Sequence, residues 1–241
     1  MKNFSILCEG VTDQVLIGYY LTNVCGWEYV QEIDNPPLVN INALWYKKDA
    51  TLLGIVAVNG NDFSNALHQL FTRESSEHSF DKILLIADHD DDMTLDNLVN
   101  MLNREIANFK GFSIAPGFEQ SSVWHTLNSS NSFGNYTINV AITFVPKDNV
   151  GALETVVLTS LSENDEDKEI VVNQVKDFID NRFQSSKYLK QRRDCVKAKL
   201  GISLSIFSPD RIFTTMNELL KSVKWSDYET IHNEYRILEE L

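Results

Sequence analysis

The sequence predicts an α/β protein with a mostly parallel β-sheet flanked by helices and a helical C-terminal extension. Over roughly the first ninety residues, short apolar runs alternate with helical patterns, which is typical of strand–helix–strand units. After residue 160 the spacing of apolar residues predicts only helices. We therefore expect a sheet-containing domain over 1–160, with an irregular insertion at about 26–50, and a helical extension over 161–241.

The first predicted elements come from the clearest apolar runs. Asn3 to Cys8 predicts a buried strand, and Thr12 predicts the N-cap of a helix over about 13–22. Further apolar runs predict strands over 52–58 and 83–87, and the first of these ends at the turn residues Asn59-Gly60. Helical patterns follow these two strands, over 63–71 and 95–106.

The second half of the chain has one further apolar strand, over 138–145, which Pro146 ends. The Ser/Asn-rich stretch before it, 128–135, predicts a loop or a hairpin connection. A short helix that contains Glu154 follows Gly151. The remaining helical patterns predict helices over roughly 169–184, 187–199 and 209–221.

Composition and charge restrict the class of protein. The chain has 241 residues, 43% of them hydrophobic, which is enough to bury a core. Its net charge of −13 is unfavourable for binding nucleic acid, where Lys and Arg displace counterions. Six bases nevertheless stand against the single acid Asp194 in one stretch: Lys187, Lys190, Arg192, Arg193, Lys197 and Lys199. This stretch fits a surface that contacts the phosphates of a nucleic acid, and it equally fits a solvated helix face.

No apolar run approaches the roughly 18 residues that a membrane span needs, and Glu9 interrupts the N-terminus before a secretory segment could form. We therefore expect a cytoplasmic protein without a membrane partner. The three cysteines lie far apart and form no CxxC pair. This spacing indicates buried thiols and neither a disulfide framework nor a zinc site.

Acidic residues directly follow two of the predicted strands. Glu9 follows the first, and Asp88 and Asp90 follow the strand over 83–87. The carboxyl ends of parallel strands form the ligand-binding edge of an open α/β sheet, so these side chains converge if the two strands are neighbours. Carboxylates about 4 Å apart repel by about 4 kcal/mol at an effective dielectric constant of about 20. A hard divalent cation, Mg²⁺, Mn²⁺ or Ca²⁺, would remove that repulsion.

The acidic segment 88–92 also fits a structural role, as an exposed turn in which one Asp caps the helix that starts near Thr94. An EF-hand is excluded, because the positions of its Gly and its Glu hold Met93 and Val99. A Walker nucleotide site is excluded, because the chain contains no G-x-x-x-x-G-K-[ST] motif.

The motifs CEGVTD (8–13) and LLIADHDDD (84–92), with a strand ending at Gly60 between them, resemble the TOPRIM domain of topoisomerases, primases and nucleases. The blocks over 140–158 and 197–210 are similar to small stand-alone TOPRIM proteins related to the overcoming-lysogenization-defect (OLD) nucleases. The resemblance implies a Rossmann-like TOPRIM fold with one or two Mg²⁺ or Mn²⁺ ions. Glu9 would be a metal ligand or a proton shuttle, and Asp88 and Asp90 would hold a metal.

The resemblance also assigns secondary roles. Asp13 and Glu154 would hold a second metal, although Ala152 replaces the Ser that precedes this last acid in the family. Asp92 would be an outer ligand. Lys197 or Lys199, with Lys190 as a further candidate, would stabilise the transition state. Each role has a structural alternative: a first-turn acid also stabilises a helix dipole, and a lysine is often only solvated.

The function that the resemblance implies is a metal-dependent nuclease that cuts DNA or RNA, tRNA included. Such nucleases often act in phage defence beside an ABC-type ATPase, which here would be a separate chain. A topoisomerase is disfavoured, because strand passage needs a catalytic Tyr on additional domains. Two alternatives remain: a catalytically silent binding or regulatory subunit of an ATPase complex, and a metal-dependent phosphatase. Asp92 occupies the Thr/Val position of the phosphatase motif D-x-D-x-[TV], which argues against the second.

Overall fold

A computed structural model describes residues 2–33, 36–37, 43–58, 62–73, 80–91, 94–108, 112–113, 121–131, 134–183, 187–211 and 214–241. The strands in these ranges are β1 (Lys2–Cys8), β2 (Glu28–Val30), β3 (Ala43–Lys48), β4 (Thr51–Ala57), β5 (Lys82–Asp88), β6 (Phe112–Ser113), β7 (His125–Asn131) and β8 (Gly134–Val145). The α-helices are α1 (Val11–Asn23), α2 (Phe63–Arg73), α3 (Thr94–Asn108), α4 (Leu153–Ser162), α5 (Glu166–Arg182), α6 (Arg192–Phe207), α7 (Met216–Lys221) and α8 (Glu229–Tyr235). Short 3₁₀ helices span Pro209–Arg211, Trp225–Asp227 and Arg236–Glu240.

The described strands form one eight-stranded mixed sheet in the order β2-β3-β4-β1-β5-β8-β7-β6. Its centre, β4-β1-β5-β8, is parallel, and both flanks are antiparallel. The α/β class is confirmed, whereas the prediction of a mostly parallel sheet is only partly right, since three of the seven pairings are parallel. Strands joined by tight turns, such as β3 and β4 across Asp49-Ala50, can pair only antiparallel.

The predicted irregular insertion at 26–50 was wrong in part, because it contains β2 and β3. Trp45 and Tyr46 of β3 are buried, and the left-handed φ of 52° at Asp49 lets the chain turn into β4. β2 has three residues, of which two are exposed, so no apolar run in the sequence indicates this strand. The predicted turn at Asn59-Gly60 lies outside the described residues.

Several helix boundaries differ from the predictions. α1 begins at Val11 with Gly10 as N-cap, so Thr12 lies inside the helix and does not cap it. The helix predicted over 187–199 begins at Arg192 and continues to Phe207. The single helix predicted over 209–221 is divided, because the Thr215 side chain accepts a hydrogen bond from the backbone of Glu218 and starts α7 as a separate helix.

The stretch 128–135 lies in the hairpin formed by β7 and β8, with residues 132–133 outside the described part. The hairpin interpretation of this stretch is therefore confirmed. The strand predicted over 138–145 is the C-terminal part of β8, which begins at Gly134. None of the described helices is both long and apolar enough to cross a membrane.

Alternation along the strands separates two hydrophobic layers. Side chains such as Phe4, Ile6 and Leu84 face one layer, which is covered by α1, α4 and the C-terminal helices. Leu7 and Leu85 face the other layer, which is covered by α2 and α3. The C-terminal helices therefore share a core with the first strand, and this packing brings α6 and α8 next to the carboxyl edge of the parallel strands.

Candidate active site

Two acidic positions meet at the carboxyl edge of the sheet because β1 and β5 are neighbouring parallel strands. Cys8 at the end of β1 pairs with Ile86, so Glu9 follows β1 beside Asp88, the last residue of β5. The backbone N–H of Asp88 donates to the Oε1 of Glu9 at 2.9 Å. The structure thus brings these two predicted residues together as the strand pattern implied.

Asp88 also connects the sheet to α4. Its Oδ1 accepts a hydrogen bond of 3.1 Å from the backbone N–H of Leu153, the first residue of that helix. A carboxylate at a helix N-terminus satisfies a backbone N–H that has no partner within the helix. The contact joins the end of β5 to the first turn of α4, which carries Glu154.

Asp13 and Glu154 occupy the first turns of α1 and α4. The Oδ2 of Asp13 accepts a 2.7 Å hydrogen bond from the backbone of Gly10, so Asp13 also stabilises the N-terminus of α1, as a first-turn acid is expected to do. Glu154 is buried, with 6% of its surface exposed, and its Oε1 lies 3.6 Å from the Nζ of Lys197. Both carboxylates nevertheless line the same cleft as Glu9 and Asp88.

The cleft has a volume of about 410 Å³. Its charged lining consists of five acids and two bases: Glu9, Asp13, Asp88, Asp90, Glu154, Arg193 and Lys197. Gly10 and the first two residues of α1, Val11 and Thr12, complete the lining. The acids come from the strand ends and from α1 and α4, and the bases come from α6.

Burial and mutual repulsion raise the pKa values of three of these carboxyl groups. The pKa of Glu9 is raised to about 7, chiefly by burial and then by the charge of Asp88. The pKa of Asp13 is also raised to about 7, by burial above all, and the charges of Glu154 and Glu9 add to it. Burial and the charge of Asp13 raise the pKa of Asp88 to about 7. At neutral pH these three carboxyl groups are therefore only partly ionised, because burial and acidic neighbours disfavour the charged form of each.

A hard divalent cation fits this donor set, because it consists of carboxylate oxygens whose repulsion an ion would relieve. Within the described part of the chain, no three His, Cys, Asp or Glu side chains are already arranged to hold a metal. The carboxylates would therefore have to reorient around an ion.

Bases of α6 contact or adjoin the acids of the cleft. The guanidinium of Arg192 contacts the Asp90 carboxylate and donates to the carbonyl of Gly151 at 3.2 Å. Arg193 and Lys197 line the cleft. Cations in the first turn of a helix are unfavourable for its dipole, so helix stability does not explain Arg192 and Arg193 at the start of α6.

Some predicted residues lie elsewhere. Lys199 pairs with Asp180 of α5 at 2.7 Å and does not line the cleft. Lys187 and Lys190 are exposed in the segment before α6, where the Nζ of Lys187 lies 4.9 Å from the ring centroid of Tyr188. Asp92 lies outside the described residues.

One residue under the site was not expected. Tyr235 of α8 is buried and lines, with Asp13 and Asp88, a void of about 10 Å³. No helix was predicted over 229–235, although the spacing of Ile231, Tyr235 and Leu238 (i, i+4, i+7) is the signal that could have found it.

The fold and the cleft define an α/β protein with an acidic cleft, faced by bases, at the carboxyl edge of its parallel strands. The chain belongs to the family DUF3226, described as proteins of unknown function, whose pattern matches residues 3–229. The crystal structure of a hypothetical protein from Pyrococcus horikoshii OT3 is similar, with a TM-score of 0.51 and 13% identity over 99% of this chain and 100% of that one. This likeness concerns the fold alone. The curated proteins contain no significant match.

Proposed function

We propose that the protein is a metal-dependent nuclease of the TOPRIM type, which hydrolyses phosphodiester bonds in DNA or RNA. The observation that carries this proposal is the pair Glu9 and Asp88, joined by a hydrogen bond at the ends of two adjacent parallel strands. Arg193 and Lys197 line the same cleft. Carboxylates for a cation and bases for a phosphate within one cleft are the groups that phosphoryl transfer needs.

Glu9, Asp88 and Asp90 would hold one Mg²⁺ or Mn²⁺ ion, and Asp13 and Glu154 would hold a second. Such ions supply a bound water of lowered pKa and neutralise charge that develops on the phosphate. Acids of both positions already have partners within the chain: Asp13 accepts from the backbone of Gly10, Glu154 pairs with Lys197, and Asp90 pairs with Arg192.

The side chains of the cleft would bind and orient the phosphodiester. Lys197 lies beside Glu154 in the cleft, so its ammonium group can contact a phosphate oxygen close to the carboxylates. Arg193 offers a planar guanidinium that can donate two parallel hydrogen bonds to a phosphate. Without a bound ion the pKa of Glu9 is raised to about 7, so a Glu9 that does not bind the ion would instead accept or release a proton near neutral pH.

Supercoiled plasmid, single-stranded DNA and bulk tRNA, incubated with the protein in Mg²⁺ or Mn²⁺, test the proposal. We expect at least one substrate to be cut, and Glu9→Ala and Asp90→Ala to abolish cutting. Asp96→Ala is the matched control, because Asp96 is an exposed acid of α3 outside the cleft lining. Cutting that persists in both site variants would overturn the assignment.

The resemblance to the OLD branch extends the proposal to a partner and a setting. The partner would be an ABC-type ATPase on a separate chain, and the setting would be phage defence. Co-expression with a neighbouring ATPase gene, followed by co-purification and a plaque assay, tests this extension. No contact described above favours the phosphatase alternative, which assigns no role to Glu9 although Glu9 lines the cleft.

A second candidate function is the catalytically silent subunit of an ATPase complex. Two ion pairs favour it, since Arg192 contacts Asp90 and Lys197 contacts Glu154, so bases partly satisfy two acids without a metal. Titration with Mn²⁺ separates the candidates. A nuclease binds the ion with an affinity that Asp88→Asn weakens, whereas a silent subunit shows no saturable binding.

A further inference from the structure

A second cleft, the α3 cleft, adjoins the acidic cleft. It has a volume of about 250 Å³ and is lined by one face of α3, which presents Thr94, Asn97, Leu98 and Met101. These residues are spaced i, i+3, i+4 and i+7, so they lie on the same side of the helix. Glu9 and Asp90 line both clefts, so the two spaces meet at the proposed metal site.

The two clefts differ in the bases that they offer to a phosphate. The acidic cleft contains the bases Arg193 and Lys197, whereas the described lining of the α3 cleft contains acids, Asp91 among them, and no base. A phosphate group can therefore be bound by two side-chain cations in the acidic cleft and by none in the described lining of the α3 cleft. A nucleic-acid strand that crosses the proposed metal site can place its backbone phosphates along α6. Only an uncharged part of a nucleotide fits along α3.

The wall of the α3 cleft suits a nucleobase. Leu98 and Met101 are half-buried and pack against the hydrophobic layer under α2 and α3, which holds their apolar surfaces in place. Asn97 is exposed and offers an amide that both donates and accepts hydrogen bonds. The side chain of Thr94 is already used, since its Oγ1 accepts from the backbone of Asp91 at 3.0 Å and donates to the Asp91 carboxylate at 3.1 Å.

We propose that the α3 cleft binds the nucleoside next to the cleaved phosphodiester, with its base against Leu98 and Met101 and hydrogen-bonded to Asn97. This proposal rests on the proposed nuclease function. The α3 cleft therefore contributes to the selection of the nucleotide beside the cleaved bond, while the acidic cleft acts on the phosphate.

Binding of free nucleosides tests the cleft independently of cutting. Adenosine, cytidine, uridine and thymidine are titrated separately into ¹⁵N-labelled protein with Mg²⁺, and inorganic phosphate is the contrasting probe. We expect at least one nucleoside to shift the amide signals of Asn97, Leu98 and Met101, and phosphate to shift signals of α6 instead. Asn97→Trp fills the cleft and should abolish the nucleoside shifts. Asn100→Trp is the matched control, because Asn100 is exposed on the same helix outside the lining.

Cutting assays then separate this proposal from the proposed function. If the wild type cuts a substrate, Asn97→Trp should raise KM for it about tenfold, the scale of one lost base contact, and Asn100→Trp should not. If nucleosides bind but no substrate is cut, the α3 cleft binds nucleosides and the proposed nuclease function is wrong. If a substrate is cut but no nucleoside shifts the amide signals, the proposal for the α3 cleft is wrong and the nuclease function is unaffected. The same holds if nucleosides shift the signals but Asn97→Trp leaves KM unchanged.

Discussion

The backbone N–H of Asp88 donates a hydrogen bond to the Oε1 of Glu9, and this 2.9 Å contact joins the end of β5 to the residue after β1. The bond holds one oxygen of Glu9 against the backbone. Asp88 is itself held by the N–H of Leu153 at the start of α4. Two acids of the cleft are therefore oriented by backbone groups.

The Glu9–Asp88 bond makes Glu9→Gln an informative substitution. The amide oxygen of Gln can accept the same N–H, so the fold should stay intact while the negative charge and the titrating proton are lost. We expect cutting to fall by at least about a hundredfold, the lower end of what a positioned acid or base contributes. Rates on the preferred substrate, with thermal unfolding as the control for folding, check this. A variant that cuts at the wild-type rate would show that the charge of Glu9 is not needed.

The raised pKa values predict how stability depends on pH. Glu9, Asp13 and Asp88 have ordinary values of 4.5, 3.8 and 3.8 and are raised to about 7 in the fold. Between these limits the folded protein holds protons that the unfolded chain has released. The three groups therefore reduce the free energy of unfolding progressively as the pH rises from about 4 to about 7, and the reduction is complete above that.

Denaturant unfolding of the metal-free protein at pH 5 and pH 8 measures this dependence. Asp88→Asn should become more stable relative to the wild type as the pH rises, while Asp96→Asn, which changes an exposed acid, should follow the wild type. Mg²⁺ should raise the melting temperature more at pH 8 than at pH 5, because protonated carboxyl groups do not bind it. An Asp88→Asn difference that is equal at both pH values would contradict the assigned pKa.

Two lysines of α6 provide a matched pair for the transition-state role. Lys197 lines the cleft beside Glu154, and Lys199 points to Asp180 on α5. We expect Lys197→Gln to lower kcat by about a hundredfold or more, as the loss of one transition-state donor does, and Lys199→Gln to leave it within about twofold. Comparing kcat, KM and the melting temperature for both variants checks this. The reverse order of effects would assign the catalytic role to Lys199.

Contact between Arg192 and Asp90 predicts competition between a base and a metal ion for the same carboxylate. Both side chains are partly exposed, 39% and 51%, so the pair contributes at most about 1 kcal/mol. Removing the base in Arg192→Gln should therefore tighten Mn²⁺ binding by about two- to fivefold. Electron paramagnetic resonance of free Mn²⁺ measures the affinity. Weaker binding in this variant would mean that Arg192 supports the site and does not compete for it.

The sequence predicted the acids better than their basic partners. Glu9 and Asp88 could be placed because each follows a run of buried apolar residues, and neighbouring parallel strands end at one edge. The partner of Asp90 is Arg192, 102 residues away, and no local pattern says where α6 docks. The position of Tyr235 of α8 beside Asp13 and Asp88 was not predicted for the same reason, since it depends on tertiary packing.

The flanks of the sheet were hard to predict for a different reason. A central parallel strand such as β5 is buried on both faces and is seen as a continuous apolar run. An edge strand such as β2 has exposed side chains and three residues, so its pairing with β3 determines its structure more than its own composition does. The α/β class therefore followed from the sequence, whereas the proportion of parallel strands did not.

Packing between α1 and β3 predicts a sharp response to a small substitution. Gly18 lies in α1 against Tyr46, and a Cβ at Gly18 would overlap the hydroxyl oxygen and the adjacent ring carbon of Tyr46. Since Tyr46 is buried, it has little room to move, and Gly18→Ala should lower the free energy of unfolding by about 1–3 kcal/mol.

Gly201→Ala in α6 is the control. Among the described atoms outside its own helix, none lies within 4 Å of the new Cβ, so this variant should gain up to about 1 kcal/mol from helix propensity. Denaturant unfolding of both variants measures the difference, and Tyr46→Phe should recover part of the loss in Gly18→Ala. Equal effects at Gly18 and Gly201 would show that α1 can move away from β3, and that the contact does not hold the helix that carries Asp13 in place.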